Sequence, residues 1–334
     1  MYRGKLRGLV DDTLLDRNFD AGHSDVYIAD VLVDKYDVKF TRQNVAYWRK
    51  QWEARSPNAK VNKFNKAKAN REIKKEVKVR KPDPSDWQAK GRVDESKVHR
   101  YIVVVPDLHI PYHHPDAFEF IKSIIDKAPE EYAVVNLGDE VDNHAISFHD
   151  ADPNLDSAGQ ELFRSREALL TLHSIVPDQF LCHSNHGSLH YRRAKAHGIP
   201  VEYLRTYREV LFPSGEGGGW EWAYSHTLHT PLGPVIFKHQ VAGDPRVAAA
   251  HEGCNLVVGH NHGRFDLSYG ASKQRLYWGA TAGCLLDRES LAFAYGRETV
   301  NKPILGMMVI VDGVPFHMPM VLDRCGRWIG RTNE

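Results

Sequence analysis

From about residue 99 onward the apolar positions fall into short continuous runs rather than alternating ones. Tyr101–Val105, Ala133–Leu137, Gln179–Cys182, Pro234–Lys238, Asn255–Val258, Arg275–Gly279 and Met307–Val311 each read as a strand, and unbroken apolar strands are covered on both faces. Between them, Pro115–Lys127 and Ser157–Ser174 read as helices. Apolar strands alternating with helices predict an α/β layer architecture, and in such folds ligands gather where the strands end, at the carboxyl edge of the sheet.

The first 55 residues follow a different period. Ser24 is placed to cap a helix running to about Tyr36, with Ile28, Val31 and Leu32 on one stripe. A short connector, Asp37 to Phe40, leads to Thr41, which caps a second helix reaching Trp52. Val45, Trp48 and Trp52 face inward at helical spacing, and Arg42, Gln43, Asn44, Tyr47, Arg49 and Lys50 lie outside. This stretch resembles helix-turn-helix units, in which the second helix enters the major groove, Arg pairs with guanine edges and Asn or Gln with adenine. The six outward residues are therefore candidate DNA contacts; a plain helical hairpin docking on the body or on a partner is the alternative.

Residues 56–98 form a basic linker. Lys60, Lys63, Lys66, Lys68, Arg71, Lys74, Lys75, Lys78, Arg80 and Lys81 meet only Glu72 and Glu76 before Pro82 and Pro84 interrupt the pattern. A basic helix in the middle and extended chain around it are expected, a run that holds phosphates without reading sequence. The overall charge of +1 conceals this asymmetry. Residues 1–98 hold 23 basic and 15 acidic side chains, and the remaining 236 hold 21 and 28. A basic arm on an acidic body points to a polyanionic partner, DNA. No apolar run approaches the ~20 residues of a membrane helix, and the first residues lack a signal-peptide pattern, so a cytoplasmic protein without membrane contacts is expected. Cys182, Cys254, Cys284 and Cys325 are widely separated and form no CxxC pair, which suits reduced thiols.

Five stretches carry the chemistry: Asp107-Leu-His109, Gly138-Asp139-Glu-Val-Asp142, Ser184-Asn185-His186, Lys238-His239 and Gly259-His260-Asn-His262. Most follow a β-branched run, and each offers carboxylate, amide or imidazole donors, the inventory of a centre for two divalent metals. In D-x-H and H-x-H, alternate side chains on a loop leaving a strand face the same way, so both can reach one ion. Mixed oxygen and nitrogen donors suit Mn²⁺, with Fe or Zn as alternatives. His239 is the least specific of the set, with His226 and His229 as rivals; His113, His114, His144, His149, His183 and His190 match no position.

In order and type, residues 101 to 263 resemble the calcineurin-like metallophosphoesterase superfamily, whose pattern is D-x-H, GD-x-x-D, GNH followed by an acid, a lone His, and GH-x-H. The resemblance implies a four-layer α/β fold, a β-sandwich flanked by helices. It implies that Asp107, His109 and His262 hold one metal, that Asn185, His239 and His260 hold a second, and that Asp139 bridges them. It makes His186 the catalytic histidine beside a metal-bridged hydroxide that attacks phosphorus. Two departures stand out: Gly187 follows His186 where the family has an acid, and Asn143-His144 follows Asp142 where Ser/Thr protein phosphatases have Arg-Gly. Joined to the basic arm, this implies a DNA-directed phosphodiesterase, a nuclease. The alternatives are a small-molecule or cyclic-nucleotide phosphoesterase localised to DNA, or a DNA-binding regulator with an inactive phosphoesterase domain.

Overall fold

A computed structural model describes residues 9–21, 23–36, 38–56, 96–149, 152–296 and 302–331. The expected basic helix and extended chain of the linker lie almost wholly outside these residues. The chain divides into two compact units, Met1–Lys81 and Pro82–Glu334.

The first unit has three described helices, not two. The unforeseen α1 (Asp12–Asp20) starts where the Asp11 carboxylate accepts the Thr13 N–H at 2.9 Å. Ser24 caps α2 (Asp25–Tyr36) by accepting the Tyr27 N–H at 3.2 Å. Thr41 caps α3 (Arg42–Arg55) through a reciprocal capping box with Asn44. Leu15 and Phe19 of α1 pack with Ile28 and Leu32 of α2 and with Val45, Trp48 and Trp52 of α3; Phe40 closes the cluster from the connector. A third helix is needed because two short ones cannot cover both tryptophans.

This packing engages two of the six candidate DNA contacts within the unit. The Asn44 side-chain oxygen accepts the Thr41 N–H at 2.9 Å and the Thr41 hydroxyl at 2.7 Å, so the cap consumes its acceptor. Arg49 donates to Asp25 at 2.5 Å and to the His23 carbonyl, with its guanidinium 4.6 Å from the centre of the Phe19 ring. It ties α3 to α2 and α1 instead of facing outward. Arg42, Gln43, Tyr47 and Lys50 are exposed.

The second unit contains two mixed sheets. The first joins β1 (Tyr101–Val105), β2 (Ala133–Asn136), β3 (Asp178–Cys182), β4 (Gly219–Ala223), β10 (Gly306–Val311) and β11 (Val314–Pro319) in the order β11-β10-β1-β2-β3-β4. Its strands β1 to β4 are parallel, and β10 and β11 run antiparallel to their neighbours. The second joins β5 (His226–Thr230), β6 (Gly233–Lys238), β7 (Asn255–Val258), β8 (Leu267–Ala271) and β9 (Leu276–Thr281) in the order β5-β6-β7-β9-β8. There β6, β7 and β9 are parallel, and β5 and β8 are antiparallel edges.

The period of two along each strand sorts side chains between layers. Ile102, Val104, Val135, Met308 and Ile310 of the first sheet meet Leu228, Val235, Phe237, Val257 and Trp278 of the second. On the far face of the first sheet, Val103, Val105, Val134, Met307 and Val309 pack under α4 (Ala117–Ile125) and α5 (Ala158–Ile175), together with Leu211 of α7 (Tyr207–Leu211). Ala249 of α8 (Pro245–Glu252) covers Leu256 and Val258 on the outer face of the second. The unit is therefore helix, sheet, sheet, helix. The expected strands and helices are present with ends shifted by one or two residues. β4, β5, β8 and β11 were not foreseen; β5 buries His226, Leu228 and Thr230 alternately, a polar edge strand rather than an apolar run. No described helix is long and apolar enough to cross a membrane.

Phe237 is fully buried between the sheets, so Phe237→Ala should cost about 3–5 kcal/mol. Phe316→Ala, at 48 % exposure on β11, should cost less than about 0.5 kcal/mol. The midpoints of urea unfolding, at unchanged m-value, check both.

Candidate metal centre

Five strands deliver the site. Asp107 and His109 lie on the loop leaving β1, Asp139 and Asp142 after β2, Asn185 and His186 after β3, His239 immediately after β6, and His260 and His262 after β7. All five are carboxyl ends, three from the first sheet and two from the second. The loops turn back within one to three residues, which forces unusual backbone. His109 (φ 53°), Asp139 (φ 49°) and His260 (φ 66°) are left-handed non-glycine residues, a conformation costing of order 1 kcal/mol or more each. Gly138 (φ 97°) allows a close approach: a Cβ there would stand 2.6 Å from the Cys182 carbonyl oxygen and 2.8 Å from the Ser184 Cβ.

Two groups of donors share one residue. Asp107, His109, Asp139 and His262 form the first, and Asp139, His239 and His260 the second, with candidate ligand atoms in each group within 4.8 Å of one another. His and Asp side chains disposed this way, buried except for the exposed His260 and the half-buried His262, can hold a metal ion. Asn185 joins the second group through its amide oxygen, 2.7 Å from His239 Nε2.

The hydrogen bonds around these groups aim lone pairs inward. His109 Nδ1 lies 2.6 Å from Asp142 Oδ1, so Nδ1 carries the proton. Burial keeps the imidazole neutral by lowering its pKa. Nε2 is then an acceptor, yet it sits 3.0 Å from His262 Nε2 and 3.6 Å from Asp139 Oδ2. Asp107 Oδ2 accepts the His260 N–H at 2.7 Å and also faces His262 Nε2 at 3.1 Å, whereas Asp107 Oδ1 is buried without a hydrogen-bond partner. One proton on His262 can satisfy only one of these acceptors; a cation among them satisfies all. The second group repeats the pattern: His239 Nδ1 donates to the Leu137 carbonyl at 2.9 Å, which turns Nε2 toward Asn185 Oδ1 and toward Asp139 Oδ2 at 3.3 Å. Burial lowers the His239 pKa, but the Asp139 carboxylate outweighs it and holds the imidazole up at about 9. The position therefore favours positive charge.

Asp142 has a larger role than its motif revealed. Its carboxylate fixes the tautomer of His109, and its carbonyl oxygen accepts from His186 Nδ1, with Oδ1 3.4 Å from the same nitrogen. It thus supplies the acidic neighbour that Gly187 does not. The His186 N–H donates to Asp139 Oδ1 at 3.1 Å, its carbonyl accepts from the Asn143 amide at 3.1 Å, and its ring meets His109 edge-on at 4.7 Å. Glu161, on α5, anchors this turn by accepting the N–H groups of His144 (2.6 Å) and Ala145 (2.8 Å); burial raises its pKa to about 7. Sequence spacing singled out neither Asn143 nor Glu161, because their roles depend on tertiary hydrogen bonds.

The remaining histidines lie elsewhere. His226 bonds the Leu181 carbonyl within the sandwich, and His229 pairs across β5 with Pro234, so neither displaces His239 from the site. His113 stacks on Phe118, His114 bonds the Gly326 carbonyl, His183 meets Tyr224, and His190 stacks on Tyr207. His144 lies 3.8 Å from Asp142 Oδ2, behind the donors. Among the described residues none of the six, His149 included, belongs to a metal-binding group. The chain matches no protein-family model and no curated protein.

Gly259 touches the site directly, since a Cβ there would stand 2.3 Å from Asp107 Oδ1. Gly259→Ala should weaken metal binding about 10–100-fold while the fold persists, read by Mn²⁺ titration calorimetry alongside circular dichroism. Metal must also displace the proton from His239. With that group protonated below about 9, Mn²⁺ affinity should rise by up to about tenfold per pH unit between pH 6 and 8, as calorimetry across that range will measure. The sign for folding is opposite: a pKa raised from 6.5 stabilises the metal-free fold below pH 6.5, and that contribution is lost as pH climbs toward 9.

Proposed function

We propose that the protein is a dimetal-dependent phosphodiesterase acting on DNA, as its resemblance to the calcineurin-like metallophosphoesterases implies. The observation that carries this reading is the shared carboxylate: Asp139 belongs to both donor groups, as a centre for two ions would require. Asp107, His109 and His262 would hold one ion, Asn185, His239 and His260 the other. Two Mn²⁺ ions, or Fe or Zn, would supply Lewis acidity toward a phosphoryl oxygen and activate water near neutral pH.

The protein's own groups do the rest. His186 is partly exposed at the edge of the centre. Burial disfavours its charged form, but the carboxylates of Asp139 and Asp142 outweigh this and raise its pKa, which favours the protonated ring. Because Nδ1 is committed to the Asp142 carbonyl, Nε2 is the atom left to donate, either to a non-bridging phosphoryl oxygen or to the departing one. Asp142 fixes both His109 and His186, so it couples the position of a ligand to the position of the proton donor.

DNA as substrate is supported by the charge distribution: the ten basic residues between 60 and 81 suit a polyanion, and Arg42, Gln43, Tyr47 and Lys50 remain exposed on α3. With Asn44 and Arg49 committed to the helical unit, the arm is better suited to holding phosphates than to reading bases. It would raise the local concentration of DNA at the metal centre.

Chelator-stripped protein resupplied with Mn²⁺ should cut DNA. Asp139→Asn should lower that rate by at least about 10³-fold with loss of bound metal, because it removes a ligand from both groups. His186→Asn should lower kcat about 10²–10⁴-fold while metal content, read by elemental analysis, stays at the wild-type level. Hydrolysis of bis-p-nitrophenyl phosphate without any cutting of DNA would replace the nuclease with a small-molecule phosphoesterase.

A further inference from the structure

The acidic body reverses its charge beside the proposed proton donor. The helix α6 (Leu189–Ala196) begins three residues after His186 and carries Arg192, Arg193 and Lys195 without a single acidic residue. Facing it is Phe148, a residue 48 % exposed although it sits on a firmly held turn. The Ser147 N–H donates to the His144 carbonyl at 3.0 Å, the Glu161 carboxylate anchors His144 and Ala145, and Arg193 donates to the carbonyls of Ile146 (2.7 Å) and Ser147. The guanidinium carbons of Arg193 and Arg192 lie 4.4 Å and 5.0 Å from the centre of the Phe148 ring. Arg193 is thus engaged in structure. Arg192 is exposed, and its hydrogen bond, to the carbonyl of the candidate ligand Asn185, is long at 3.4 Å.

We propose that Phe148 and Arg192 form a nucleotide subsite at the rim of the metal centre, where an unpaired base stacks on Phe148 and Arg192 grips a flanking phosphate, so that the substrate is single-stranded DNA or an unpaired strand end. This rests on the nuclease reading and specifies its substrate. A large ring kept half in water on an anchored turn offers a stacking platform, and base-on-aromatic stacking tolerates any sequence. Paired bases in a duplex present no free face, so a platform of this kind selects unpaired ones. An exposed guanidinium beside the ring supplies the phosphate contact and links the platform to Asn185, whose amide oxygen belongs to the second donor group.

The test uses the full-length, Mn²⁺-loaded protein with a 5′-labelled oligothymidylate and a blunt hairpin duplex. The single strand should be cut with kcat/KM at least tenfold above the duplex. Phe148→Ala should raise KM for the single strand about tenfold with kcat within twofold, and Phe148→Trp should restore it. Arg192→Ala should raise KM and reduce the slope of log KM against log salt by about one. Equal kcat/KM on the two DNAs, an unchanged KM in Phe148→Ala, or a tryptophan variant as impaired as the alanine one would overturn the subsite and leave the nuclease standing. Failure of the wild type to cut either DNA would overturn both.

Discussion

The Asp139 carboxylate is buried at a point that three other strand ends must reach. His109 Nε2 lies 3.6 Å from it, His239 Nε2 3.3 Å and the His186 N–H 3.1 Å, coming from β1, β6 and β3. A buried ionised carboxylate is tolerated only when opposite charge and hydrogen bonds surround it, and here the imidazoles hold its pKa well below the ordinary value against the burial that would raise it. The two sheets cannot shift along each other without separating His239 from Asp139. The apolar contacts between Val135 and Val104 on one side and Phe237 and Val257 on the other fix the same alignment from within. Packing and charge therefore specify one relative placement of the sheets.

That placement is maintained against local strain. Three left-handed residues, His109, Asp139 and His260, fall within the donor set itself. Left-handed backbone in residues with a Cβ persists only where surrounding structure over-determines it. The surroundings here are explicit: the His109 N–H donates to the Asp139 carbonyl at 2.8 Å, and the His260 N–H to Asp107 Oδ2 at 2.7 Å. Residues of the donor set hold one another, so the protein alone fixes the donor geometry. Preorganisation of this sort places the desolvation cost in folding rather than in binding.

Much of the donor set was legible because each donor stands one to four residues past the end of a strand, and parallel strands must end at a common edge. The sorting of Ile102 and Val104 from Val103 and Val105 between the two faces of their sheet was equally implicit in the run itself. The interplay of groups from different loops was not legible. Asp142 lies in a motif that spacing identifies, yet its grip on both His109 and His186 is set by a turn that tertiary partners, Glu161 and Asn143 among them, make rigid. On α3, outward spacing could not reveal that Asn44 is consumed by its own cap or that Arg49 reaches back to Asp25. A helical face tells which residues avoid the core, and long or polar side chains then find partners along the surface. β5 escaped notice for a related reason: two of its three buried positions are His226 and Thr230, whose polar groups are satisfied by the Leu181 and Gly233 carbonyls.

The net charge of the body describes the site poorly. A fold that brings Asp107 and Asp139 into one donor group, with Asp142 bonded to the far nitrogen of His109, concentrates carboxylates there, and bound cations would offset that charge before any polyanion approached. Beyond the donors lies α6 with Arg192, Arg193 and Lys195, its first turn starting where the His186 loop ends, so a phosphodiester brought to the site would meet those cations. Electrostatic attraction falls off within about 10 Å in ordinary salt, so those nearby cations outweigh acidic residues on remote faces. The overall sign of the body therefore does not argue against a nucleic-acid substrate, whereas the sign of this one helix bears directly on how a strand would lie across the metals.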